Sequence, residues 1–291
     1  MQGVINIFKN PGMTSFDVVR IIKKISKEKK VGHTGTLDPE ACGVLPICLG
    51  KATKIIDYIM IAPKRYEVEF SLGFKTTTYD LEGEVLDKKD ISHLEENIIY
   101  NVIKSFEGTY SQIPPMYSAI KKNGVRLYDL ARQGIEIERE GREVTIYNID
   151  NIKIDLPKIT MSVKCSKGTY IRSLCYDIGE KLGVYGTMCK LKRTETSVFK
   201  EQDSINIDLL NEDNISEYLI PIEKALNAYP SVTINNKFRN LLVNGANVYD
   251  KRIFKSDVEI NTLYRVFDED NMFLGLGKKY KDGFKLEKLL I

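Results

Sequence analysis

The chain has 291 residues, 43% hydrophobic and 29% charged, a balance that fits a folded core and excludes disordered or collagen-like classes. At roughly 150 residues per domain, this length implies two domains or one large domain with an appendage. Net charge is only +3, but residues 1–65 hold 11 basic and 5 acidic side chains while residues 66–150 hold 10 and 16. Lys164 to Arg193 carries seven basic residues against two acidic ones. Such clusters suit a polyanion-binding face, and equally a set of solvated helix faces. No apolar run approaches the ~20 residues of a membrane span. The start, MQGVINIFKN, has no basic region followed by an apolar block, so no secretory signal is visible and the cytoplasm is the expected compartment.

Val4 to Phe8 reads as a short buried strand closed by the Lys9-Asn10-Pro11-Gly12 turn. Thr14-Ser15-Phe16-Asp17 has the pattern of a helix start, and Val18, Ile21, Ile22 and Ile25 follow at helical spacing. That helix runs out in the basic stretch Lys27 to Lys30. Val31 to Pro39 holds too much glycine and proline for a regular element and is expected to be a loop with a polar tip. A second helix is expected over Lys51 to Ile61. Tyr66 to Leu72 alternates apolar and polar, as a half-buried strand does. Leu94 to Phe106 reads as a helix, and Asn123-Gly124 is a hairpin signal followed by a short helix that Gly134 would cap. Ile159, Met161, Val163 and Cys165 alternate as a strand; Ile171, Leu174, Cys175, Ile178 and Leu182 form one helical stripe stopped by Gly183. A boundary is expected near Tyr229-Pro230. Beyond it short strands, such as Tyr264 to Phe267 and Met272 to Leu274, suggest a small β module. Strands interleave with helices and hairpin-like connections, so the class is α+β.

Little chemistry is on offer from soft ligands. The five cysteines form no CxxC pair and there are only two histidines, so no zinc-site spacing exists and most cysteines should serve as small buried hydrophobes. No phosphate-binding loop or dinucleotide fingerprint occurs, so no nucleotide cofactor is indicated. Asp38 stands at the tip of the Gly/Thr-rich loop, before Pro39, which restricts it to an extended or turn conformation. It could be a nucleophile, a general base or a turn former. His33, five residues earlier, could be a polar or stacking contact or a plain loop histidine. Arg172 falls in the first turn of a helix, where the dipole disfavours a cation, so it needs an anionic partner. With no Trp and 16 Tyr, any base stacking must use Tyr, Phe, His or Arg.

Four motifs then speak together: GHTGTLDPEACGVLPICLGKATK (32–54), KRY (64–66), QIPPMYSAIKKNGVRLYDLARQG (112–134) and CSKGTYIRSL (165–174). In this order they closely resemble the bacterial tRNA pseudouridine-55 synthases, the TruB family. The resemblance covers residues 3–200, with a weaker match to the family's PUA-like module from about 230. It implies a catalytic domain over 1–229, built on a mixed, largely antiparallel sheet flanked by helices. An RNA-binding thumb would occupy about 112–145, bearing Lys121, Lys122, Arg126 and Arg132, and a PUA-like β domain 230–291. It further implies isomerisation of uridine 55 in the T arm of tRNA, with neither metal nor organic cofactor. Asp38 would be the catalytic nucleophile, with Arg172 beside it favouring the ionised carboxylate. Tyr66 would stack on the base and help remove the C5 proton. His33, Tyr170 and Leu191 would contact substrate, and Lys9 would meet the RNA backbone. No protein partner is implied, and a monomer is expected. The competing expectations are an RNA-folding factor for which catalysis is secondary, and a synthase of another RNA.

The sequence departs from the family pattern in three places. Asn10 separates Lys9 from Pro11, Thr77 replaces the first Asp of the usual T-D-T-x-D-x-x-G, and Ser197 stands where Gly is usual.

Overall fold

A computed structural model describes residues 1–118, 120–122, 124–254 and 257–291; the side chains of Lys121, Lys122, Arg126 and Lys251 lie outside that description. The chain opens with β1 (Gly3–Lys9) and, after the Pro11-Gly12 turn, α1 (Ser15–Ser26). The Thr14 hydroxyl takes the Asp17 amide, while the Asp17 carboxylate takes the Thr14 amide. Two orphan donors of the first turn are thereby satisfied, which is why the helix starts there. It stops at Lys27, which turns left-handed at φ 55°.

Next come β2 (Val31–His33) and β3 (Cys42–Leu49), an antiparallel pair joining Val31 to Leu49 and His33 to Ile47. The start of the expected loop is therefore a strand. A Cβ on Gly32 would lie 2.8 Å from Ile56 Cδ1, so its glycine answers to packing rather than to a turn. The expected helix over 51–61 is a tight 3-10 stretch, Gly50–Ile55, continuing into α2 (Ile56–Met60). Then follow β4 (Lys64–Leu72), β5 (Phe74–Thr76), β6 (Val85–Lys88), α3 (Glu96–Lys104) and β7 (Gly108–Gln112). The hairpin β8 (Lys121–Lys122) and β9 (Val125–Arg126) forms where the Asn-Gly signal lies, though Asn123 itself is outside the described residues. After α4 (Leu127–Arg132) come β10 (Arg142–Asp155), β11 (Lys158–Cys165), α5 (Ile171–Lys181) and β12 (Gly186–Thr196). The chain closes through β13 (Phe199–Lys200), β14 (Ile205–Asn206), α6 (Ile222–Ala225), β15 (Ser231–Thr233), α7 (Arg239–Val243), β16 (Leu263–Phe267), β17 (Phe273–Tyr280) and β18 (Gly283–Leu289). The class is α+β, as the pattern predicts.

These elements form two compact units. The first comprises Met1–Asp38, Val44–Met60 and Ser197–Ile291; the second comprises Pro39–Gly43 and Ile61–Thr196. In the first, β1 runs parallel to β14, and β15-β16-β17-β18 make a separate four-stranded sheet. One core joins Val4, Val44, Cys48 and Ile55 to Leu226, Leu276 and Leu290, so the C-terminal sheet shares its packing with the first sixty residues. A second core, including Ile234, Val266, Leu274 and Phe284, lies within residues 230–291.

In the second unit, strands order β12-β4-β11-β10-β7, each antiparallel to its neighbour. Lys64, Tyr66, Val68, Phe70 and Leu72 of β4 are all buried. Glu67 and Glu69 on the other face pair with Lys192 at 2.9 Å and Lys190 at 3.3 Å. That is the alternation of a half-buried strand. α5 packs on β12 and β4, and its approach is set by two glycines: a Cβ on Gly179 would meet Gly186 N at 2.2 Å, and one on Gly186 would meet Cys175 O at 2.2 Å.

Ser197 lies at φ 54°, a region that L residues with a side chain enter at a cost. Ser197→Gly should therefore stabilise the protein, by about 0.5–1 kcal/mol. Urea unfolding of the two chains checks this, and a lower midpoint for the glycine variant would show that the serine side chain holds the turn.

Candidate active site

Asp38 stands in the loop between β2 and β3, whose N-terminal half is fastened at two points. Thr34, fully buried, gives its amide to Pro46 O at 3.1 Å and its hydroxyl to the same oxygen at 3.3 Å. Buried Ser15 holds Leu37 twice, its hydroxyl accepting from Leu37 N at 2.8 Å and donating to Leu37 O at 3.1 Å. The residue just before Asp38 is thus clamped by the first turn of α1. Asp38 itself is half-buried. On β2, the Nδ1 of His33 accepts from Gly35 N at 3.3 Å, which leaves Nε2 to carry the proton of the neutral ring. Lys9 is fully buried, and its ammonium donates to Asn10 O at 2.9 Å and Met13 O at 2.7 Å.

The other expected site residues belong to the second unit. Tyr66 sits in β4 opposite Arg193 on β12 and Val163 on β11, and Leu191 sits opposite Val68. Tyr66 and Leu191 therefore share one buried face of adjacent strands. Tyr170 is the N-cap of α5. Gln112, buried at the end of β7, accepts from Tyr170 N at 2.8 Å and donates to Tyr170 O at 3.1 Å, while Ser173 donates to Ile113 O at 2.9 Å. Arg172, one residue into the helix, is 6% exposed. Its Nη1 lies 3.3 Å from Asp80 Oδ2 and donates to Thr78 O at 3.3 Å; its Nη2 donates to Tyr117 O at 2.9 Å. The anionic partner that its place on the helix demands is thus a buried carboxylate. Asp80 is in turn held by the Thr78 hydroxyl and by Glu82 N.

Deeper along α5, Asp177 accepts from Tyr110 OH at 3.4 Å, and that hydroxyl accepts from Gln112 Nε2 at 2.7 Å. Burial pushes the Asp177 carboxyl up to about 6, with the Tyr110 hydroxyl opposing and Glu180 adding to the rise. Among the described residues, no group of three or more His, Cys, Asp or Glu side chains is placed to hold a metal, and no helix is long and apolar enough to cross a membrane.

Residues 23–171 match the family model described as TruB family pseudouridylate synthase, N-terminal domain, and residues 172–227 match the tRNA pseudouridylate synthase B C-terminal domain. The chain belongs to the TruB family. It is 60% identical over 292 residues to tRNA pseudouridine synthase B of Clostridium perfringens strain SM101, covering 100% of this chain and 99% of that protein. The Clostridium tetani protein of the same name is 57% identical, with 100% of both chains covered. Among solved structures, the chain resembles one in a Cbf5-Nop10-Gar1 complex at 31% identity and TM-score 0.76, covering 99% of this chain and 85% of the other.

The three departures from the TruB pattern have local accounts. Asn10 donates to Asn206 Oδ1 at 3.2 Å and Asp208 Oδ2 at 2.7 Å, tying the turn before α1 to the end of β14 and the residues that follow. Thr77 is exposed, its amide on Glu84 O at 3.1 Å, so the change there leaves Asp80 on Arg172. Ser197 takes a positive φ of 54°, a region that glycine enters freely. Sequence reasoning passed over Ser15, Asp80 and Gln112. Asp80 had a signal, as the second Asp of the motif in which Thr77 was noted. Ser15 and Gln112 are polar residues whose partners only the fold brings near.

Two outcomes follow from this geometry. Asp177 holds its proton to a higher pH when folded than when unfolded, so its stabilisation is present at low pH and lost as pH rises through 6. Asp177→Asn should therefore gain on the parent as pH rises from about 4 to 6 and keep that gain above, by on the order of 1–3 kcal/mol, read from denaturant unfolding at each pH. A gap that stays constant with pH would show an unshifted carboxyl. Asp80→Asn keeps the side-chain shape but takes the charge from a buried pair, so it should cost about 2–4 kcal/mol. An unchanged denaturant midpoint would show that Arg172 is held without the charge of Asp80.

Proposed function

We propose that this chain isomerises uridine 55 in the T arm of tRNA to pseudouridine. The observation that carries this reading is identity of 60% along the whole chain to a protein named tRNA pseudouridine synthase B. In the reaction the N1–C1′ bond breaks and a C5–C1′ bond forms, while C5 gives up a proton and N1 acquires one. Atoms and electrons balance without oxidant, reductant or resident cofactor. The base must first leave the loop's stack, at a cost of a few kcal/mol.

In this reading Asp38 is the nucleophile. What supports it is the double clamp on Leu37 and the anchoring of Thr34, which limit the freedom of the loop that presents the carboxylate. Tyr66 supplies an aromatic face to the extruded uracil and a candidate acceptor for the C5 proton. Leu191 is an apolar wall, and Tyr170, His33 and Arg172 complete the set. Lys9 holds the turn before α1 through the Asn10 and Met13 carbonyls, which serves the loop geometry better than reaching for a phosphate. The segment 112–145 acts as an RNA-gripping thumb. Residues 230–291 act as a PUA-like RNA-binding module, supported by Lys278, Lys279, Lys285 and Lys288 on β17 and β18. The protein works as a cytoplasmic monomer.

Tritium release from tRNA carrying C5-tritiated uridine tests the reading, with the modified position mapped afterwards. Parent protein should release one tritium per tRNA at position 55. Asp38→Asn should retain most of its tRNA affinity and release at least about a thousandfold more slowly, as expected for loss of a covalent catalyst. Release from another position would reassign the substrate, and a parent-like rate for the Asn variant would remove Asp38 from the chemistry.

A further inference from the structure

Tyr79 lies between the two groups that meet on Arg172 Nη1, the Thr78 carbonyl and the Asp80 carboxylate. For a carbonyl and a side chain two residues apart to converge on one nitrogen, the backbone must turn sharply between them. It does so at Tyr79, whose φ is 64°. Bulky side chains avoid that region, and glycine or asparagine would enter it more easily. Strain at such a place persists only when surrounding contacts over-determine it.

Those contacts come from α5 and β12. The Tyr79 ring stacks on Tyr176 with centroids 4.2 Å apart and planes 17° from parallel, and the Tyr79 carbonyl accepts from Met188 N at 3.0 Å. Tyr176 follows Arg172 by four residues on α5, so the two project from the same helical face. The helix that carries the guanidinium also carries the ring that fixes its holders. Asp80 is further tied down by the Thr76 hydroxyl on its carbonyl at 2.6 Å.

We propose that Tyr79 and Tyr176 form an aromatic clasp that positions Arg172 for the isomerisation; this rests on the reading that Arg172 serves the reaction. The clasp is a positioning device and touches no reacting atom. A turn required only for folding would favour glycine at 79, since the stack would then have nothing to position.

The test uses full-length variants and three readouts: single-turnover rate at saturating tRNA, tRNA dissociation constant, and thermal transition. In Tyr79→Gly, relief of backbone strain offsets the lost stacking, so the transition should stay near the parent's. Its rate should nevertheless fall at least about tenfold, as expected for a misplaced active-site group, with affinity unchanged. Tyr176→Leu, which loses the stack without relieving the strain, should lose rate likewise and also melt somewhat earlier, while Tyr79→Phe and Tyr176→Phe, which keep the rings, should react like the parent. Arg172→Lys is the control for the underlying reading and should be slow. A parent rate in Arg172→Lys sinks the role of Arg172. A slow Arg172→Lys beside a parent-rate Tyr79→Gly sinks the clasp alone. Phe variants as slow as the Gly variant, or rates that merely follow the thermal transition, would also overturn it.

Discussion

A guanidinium removed from water must find its hydrogen bonds inside the protein, and much of the second unit answers that demand for Arg172. Leaving a charge of this kind unpaired would cost several kcal/mol. Its partners come from separate segments: Thr78 and Asp80 from the connection between β5 and β6, and Tyr117 from the chain after β7. The helix start that carries it is pinned by Gln112 and by the Ile113 carbonyl. Thr78 and Asp80 also hold each other, so moving one of them disturbs the other. Polar groups satisfied in this connected way stiffen a site more than isolated pairs do.

Asp38 is placed by a different means. The contacts that fix its loop act on backbone atoms of its neighbours, through Ser15 on Leu37 and Pro46 on Thr34. A loop gives a carboxylate reach, and buried anchors on the residues leading into Asp38 add the precision that loops otherwise lack. Ser15 can act as an anchor because it sits in the first turn of α1, whose register is set by the Thr14–Asp17 capping box. The local signal that starts a helix thereby also sets the position of the residue before Asp38.

That capping box was legible in the sequence because every atom in it lies within four residues. The alternation of β4 and the stripe of α5 were legible for the same reason. β3 was not, since CGVLPICL is a continuous apolar run with no period to read, and β10 carries Asn148, Asp150 and Asn151 among register shifts. β12 hid its alternation behind bulges at Met188/Lys190 and Arg193/Glu195. Within the site, Asp38 and Arg172 drew attention as a carboxylate on a loop and a cation at a helix start. The hold of Asp80 on Arg172 was invisible, because its physical reason spans the sequence from the β5–β6 connection to α5. Residues chosen for what they touch across the fold leave no local pattern.

The same reasoning bears on the C-terminal module. Leu276 and Leu290 share a core with Val4, Cys48 and Ile55, Tyr229 donates to Tyr58 O at 2.8 Å, and Lys51 donates to Ile291 O at 2.8 Å. Removing residues 230–291 would strip cover from the strands that carry the Asp38 loop. Apolar area exposed in that way costs roughly 25 cal/mol per Å², so a truncated chain losing activity would report on folding before it reported on RNA. Charge reversal at Lys278 or Lys288 leaves that core in place and changes only the potential that a polyanion would meet. A role in covering the first sixty residues and a role in meeting a polyanion are therefore separable only by substitutions on the module's surface.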